Sequence, residues 1–164
     1  MRLGTRVPPL VERACRQAQR EASIEVVCPG LVPQGPLRRA AGLWGGFAFD
    51  PRVWLITFNN GDNGPRYHHW IMGAGRRSSV EHYLLSDAVN AVKGLPTKIG
   101  EAEVGSRTVV IYRYPPYPAG GPNGGHTAVF VVCGEQLVFA SLHGRRQRAA
   151  EELAIALADK AGCP

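Results

Sequence analysis

The sequence predicts an α+β fold, a single-layer and mainly antiparallel sheet of about five to six strands packed by about three helices. Three observations carry that reading. Apolar residues recur at helical spacing near the start, the middle and the end of the chain. Between these stretches lie runs rich in β-branched and aromatic residues, several joined by short glycine turns of the kind that connect antiparallel neighbours. The length, 164 residues, suits one domain with a core able to fold unaided, so residues 1–164 read as a single domain.

The first helix is expected over residues 10–22, with Val11, Ala14, Cys15, Ala18 and Ala22 on one side and Pro8-Pro9 placed at its start. Ile24 to Cys28 reads as a short strand stopped by Pro29-Gly30. Val32–Gly46, broken by prolines and glycines, reads as a long connection, and Pro115–Gly125 as a second one. Arg52–Asn59 and Tyr67–Met72 form a hairpin around the Asn60–Pro65 turn signal. A helix follows from Ser78 or Ser79 to about Lys93, with Val80, Tyr83, Leu84, Ala88, Val89 and Val92 on its apolar side. Gly94 and Pro96 close it. Strands at residues 108–114, 127–133 and 136–142 come next, and a last helix over residues 145–161 carries Ala150, Leu153, Ala154, Leu157 and Ala161 on one stripe.

The hairpin at residues 127–142 permits a register argument. A two-residue loop with glycine first suits a type II′ turn, so Cys133 faces Gln136 across Gly134-Glu135. Stepping outward, Phe130 faces Phe139, Ala128 faces Ser141 and His126 faces His143. The alternation places all of them on one face, facing Cβ atoms about 4.5–5.5 Å apart. Two imidazoles so placed can chelate a divalent metal if a third ligand joins them and a position stays open for water. His68 is the third ligand chosen here, with His69 on the opposite face of the same strand as the other candidate. The same pair can instead act as acid and base, and Ser141, two residues before His143 on the same strand and face, brings a hydroxyl within reach of that ring. The ordinary reading is that both histidines are polar rim residues where the hairpin ends. Tyr112, Tyr114 and Tyr117, with Ser141, are candidate ligand-binding residues near this end of the sheet. Trp44, Phe47 and Phe49 extend the aromatic set available to line a groove, although scattered aromatics usually anchor cores and loops.

Other chemistries are poorly served. There is no G-x-S-x-G elbow, and Gly120–Gly125 lacks the Lys-Ser/Thr ending and following helix of a phosphate loop. No apolar run nears the roughly 18 residues that span a bilayer, so no integral membrane segment is expected. The net charge of +6 is concentrated in the first quarter, where Arg2, Arg6, Arg13, Arg16, Arg20, Arg38 and Arg39 stand against three glutamates. Such a patch attracts anionic partners, but no aromatic platform is interleaved with it and a nucleic-acid partner is not expected. Cys15, Cys28, Cys133 and Cys163 allow three pairings and contain no C-x-x-C pair; Cys28 and Cys133 read as small buried hydrophobes.

The run IYRYPPY at residues 111–117, Gly125-His126, Ser141-Leu142-His143-Gly144 and the alanine-rich last helix together resemble bacterial extracytoplasmic domains of unknown function. The opening helix followed by IEVVCPGLVP is similar to the way such domains begin. Their shape is an α/β/α sandwich of the PsbP type. The resemblance implies an accessory or ligand-binding domain outside the cytoplasm, with an anchor upstream, since no apolar segment follows the charged start; without such an anchor the cytoplasm is expected. It carries over no catalytic residue. The function expected is therefore a non-catalytic binding or accessory domain for a small molecule or protein partner. The alternatives are a metal-assisted hydrolase built on His126 and His143 with a divalent ion, and a basic N-terminal anion binder.

Overall fold

The computed structural model describes residues 2–22, 24–35, 37–44, 53–60, 69–85, 94–116 and 125–163. Its main layer is a seven-stranded antiparallel sheet built from β3 (Arg39–Trp44), β4 (Val53–Asn59), β5 (His69–Arg76), β6 (Thr97–Val104), β7 (Arg107–Tyr114), β8 (His126–Cys133) and β9 (Gln136–His143). The strand order is β3-β4-β5-β9-β8-β7-β6. A separate pair, β1 (Leu3–Gly4) and β2 (Val32–Pro33), ties the N-terminus to the second segment. Three helices are described: α1 (Pro9–Glu21), α2 (Arg77–Leu85) and α3 (Gln147–Lys160).

Period-2 alternation sorts the sheet into two faces. Trp54, Ile56, Phe58, Trp70, Met72, Val129, Val131, Val138, Ala140 and Leu142 point to one, where they meet Val11, Cys15 and Ala18 of α1 and Ala150, Leu153, Ala154 and Leu157 of α3. The other face presents Val53, Leu55, Phe130, Val132, Leu137 and Phe139 to Val80, Leu84 and Leu85 of α2. The expected α+β class thus holds. Pro9 opens α1 as expected, where the missing N–H would have had no partner anyway. α2 instead starts at Arg77, with Ser78 and Ser79 inside its first turn rather than capping it, and α3 starts at Gln147 without a side-chain cap.

The sheet departs from expectation in its strand list. The stretch 24–28 is not a strand; Val26 is buried, and its carbonyl accepts a hydrogen bond from Gln19 Nε2 at 3.0 Å. The supposed long connection Val32–Gly46 instead contributes β2 and β3. The unexpected β6 pairs along β7 through the Gly105-Ser106 turn, with a bulge between Lys98 and Gly100. It is exposed along nearly its whole length, so burial imposed no apolar alternation on it to read. Of the middle helix, residues 86–93 lie outside the described residues, as do residues 117–124 of the expected loop Pro115–Gly125.

The cysteines also depart from expectation. Cys15 pairs with Cys28 at a Cα–Cα distance of 5.6 Å, and Cys133 with Cys163 at 5.7 Å, both within normal disulfide reach. The first bond fastens the 24–28 segment to α1. The second fastens the chain end to the β8–β9 hairpin. Cys28 and Cys133 are therefore cross-links rather than free buried hydrophobes. No described helix is long and apolar enough to cross a membrane.

Candidate functional site: a histidine ridge across three strands

The β8–β9 hairpin has the register its turn dictates. Gly134 takes φ 60°, the left-handed value required at the first position of a type II′ loop. Cys133 faces Gln136, Phe130 faces Phe139, and at the far end His126 faces His143. On the other side of β9, Trp70 of β5 faces Leu142, and one further step along that ladder brings His69 beside His143. Their backbone positions form a row on β5, β9 and β8, on the face covered by α2, and the three imidazoles close into a triangle above it. Ring centroids are 4.1 Å apart for His69 and His126, 5.4 Å for His69 and His143, and 5.5 Å for His126 and His143. His69 is buried; His126 and His143 are half-buried.

The row extends in both directions. His69 pairs with Asn59 of β4, which pairs with Arg39 of β3. His126 pairs with Tyr114 of β7. Across six strands the positions in register are thus Arg39, Asn59, His69, His143, His126 and Tyr114. One step inward the same face carries Thr57, Ile71, Ser141, Ala128 and Tyr112, and a further step inward it is apolar, with Leu55, Phe139, Phe130 and Val110. The sheet therefore carries a polar band at one end of an otherwise hydrophobic surface.

Ser141 lies one step inward from His143 on β9 and is buried. Its hydroxyl oxygen sits 3.0 Å from Nδ1 of His126, a diagonal contact between neighbouring strands. The sequence pointed to a Ser141–His143 contact on one strand; the structure places the contact across the ladder instead. Tyr114 donates its hydroxyl hydrogen to the Leu84 carbonyl near the described end of α2, at 2.8 Å. Burial, with the neighbouring Tyr112 phenol as a smaller cause, holds the Tyr114 phenol above its ordinary pKa. Tyr112 is raised too, by burial first and the Glu81 charge second, with Arg77 opposing; its ring lies against Phe130 at 5.2 Å. The two tyrosines named from sequence thus anchor α2 and the sheet beside the ridge.

Tyr117 and His68, the third metal ligand expected from sequence, lie outside the described residues; the structure puts His69 in the row. The face taken by Trp70 separates these two histidines. Trp70 belongs to the core under α1 and α3, so its strand neighbour His69 has to face the α2 side with His143. Among the described residues, no group of three or more His, Cys, Asp or Glu side chains is arranged to hold a metal ion. The three rings pack edge and face against one another. Chemically, they offer nitrogen donors and, once protonated, positive charge, with the Ser141 hydroxyl beside them.

Comparison with protein-family models, curated proteins and solved structures finds no match for this chain.

Proposed function

We propose that this chain is a non-catalytic binding domain that works in an oxidising compartment outside the cytoplasm. In this reading the histidine ridge takes a ligand bearing an oxyanion, a carboxylate or a phosphate. The observation that carries it is the alignment of His69, His143 and His126 on three adjacent strands, with centroids within 5.5 Å. Such a row gathers ring N–H donors and becomes cationic on protonation, which favours an anion. Asn59 and Arg39, in register with it, add polar and positive positions. The pairing of all four cysteines supports that compartment, since disulfides persist where thiols are not kept reduced. The resemblance to extracytoplasmic accessory domains points the same way.

The test is calorimetric titration of the oxidised protein with inorganic phosphate and with acetate, beside the His126→Ala/His143→Ala variant. Binding that tightens between about pH 8 and about pH 6 and disappears in the variant supports the reading. No binding by the parent at either pH overturns it.

The 3.0 Å contact of Ser141 with His126 favours a second reading, a hydroxyl nucleophile beside its base. Steady turnover of an activated ester that is abolished by Ser141→Ala selects that hydrolase over the binding domain. Stoichiometric zinc, manganese or iron in the purified parent, lost in the double-histidine variant, selects the metal-assisted alternative.

A further inference from the structure

At the opposite end of the sheet from the ridge, and on the opposite face, lies a groove of about 610 Å³. Its floor is the cross-strand row Trp54, Ala74 and Val138, in register on β4, β5 and β9. The disulfide-held segment with Ile24 and Val27 forms one wall, and the end of α3 with the Cys133–Cys163 bond forms the other. Both walls are covalently fixed, so the groove is a built concavity of the size that small-molecule sites occupy, roughly 300–1,000 Å³. A second, independent feature points to a ligand. Trp54 is 1% exposed, and its indole Nε1 is buried with no hydrogen-bond partner among the described residues. A buried donor left without an acceptor is unfavourable, and a bound oxygen would relieve it.

The mouth decides the charge of the occupant. It carries two carboxylates, Glu25 and Glu135, against one guanidinium, Arg76, which already stands 3.8 Å from Glu135. A ligand carboxylate would meet net negative charge there and an apolar interior beneath. We propose that this groove binds a small, neutral, apolar molecule carrying a carbonyl or ether oxygen, with that oxygen accepting from Trp54 Nε1. The site is independent of the histidine ridge in both position and ligand class.

The experiment uses the oxidised full chain and the neutral, carbonyl-bearing dye Nile red, read by its fluorescence and by quenching of tryptophan emission. Saturable binding of one equivalent, displaced by 2-dodecanone, is the expected result. Dodecanoate, the same chain length with a carboxylate, competes at least about tenfold more weakly. Ala74→Leu fills the floor and lowers dye affinity by about tenfold or more while phosphate binding at the ridge stays unchanged; Val138→Phe serves if Ala74→Leu does not fold. Trp54→Phe weakens displacement by the ketone about five- to tenfold. Unsaturable dye binding, or binding equal in the filled variants, overturns the site. Dodecanoate competing as well as the ketone overturns the ligand class.

Discussion

The hydroxyl of Ser141 and Nδ1 of His126 lie 3.0 Å apart across the β8–β9 ladder, so the serine fixes the orientation of the outermost ring of the histidine row. That ring is the nearer neighbour of His69, at 4.1 Å, although His143 stands on the strand between them. Replacing Ser141 by alanine therefore releases the ring without removing an imidazole. The variant is expected to stay folded and to lose about 0.5–1.5 kcal/mol in urea unfolding. Its His126 ring-nitrogen resonances should move, while those of His82, on α2, stay in place.

Tyr114 joins the sheet to α2 through the Leu84 carbonyl. Near neutral pH, Tyr114→Phe is expected to cost about 0.5–1.5 kcal/mol, the worth of one such bond. The pH dependence has a definite sign. A phenol whose pKa is raised on folding holds its proton more tightly in the native state, so its contribution is complete below the ordinary value of 10.0 and is lost as pH climbs past it. Tyr112 shifts the same way. Stability of the parent should fall above about pH 10, and Tyr114→Phe should flatten that fall. An alkaline limb of equal slope in both proteins would contradict this.

The Cys133–Cys163 bond closes a segment with a sequence separation of 30 residues and pins the end of α3 against the central hairpin. In the oxidised protein, Cys133→Ala/Cys163→Ala should lower stability by about 2–4 kcal/mol. The reduced parent, which has lost the Cys15–Cys28 bond as well, should unfold at a lower denaturant concentration than the oxidised double variant and near that of the reduced double variant.

Gly73 sits where β5 crosses between β4 and β9, on the α2 face. A Cβ there would meet the Trp54 carbonyl and the Phe139 ring. Backbone cannot yield as a side-chain tip can, so Gly73→Ala is expected to destabilise by about 1–3 kcal/mol through overpacking. Phe139→Leu, which vacates part of that space, should recover some of the loss in the double variant.

The parts of this architecture that were legible in the sequence are those where local chemistry and burial agree. Gly134-Glu135 set the β8–β9 register, and that register alone placed His126 opposite His143. The stripe on α3 was equally plain, because one face of the helix meets the sheet and the other meets water. What escaped detection had no such agreement. β6 is exposed at the sheet edge, and β3, with the sequence RAAGLW, has a weak strand composition. Residues 24–28 have strand-like composition, yet the link to Cys15 and the Gln19 bond hold them outside any sheet. Cysteine pairing depends on which chain segments meet in space, and four cysteines leave three choices open. His69 was separable from His68 only by knowing which face of its strand Trp70 occupies.

Proton NMR of the histidine rings during titration with inorganic phosphate at about pH 6 tests the ridge most directly. Anion binding at the ridge requires saturable movement of the His69, His126 and His143 resonances along one binding curve, with His82 unmoved. Movement of His82 to the same extent, or no saturable movement of the three ridge rings, would contradict it.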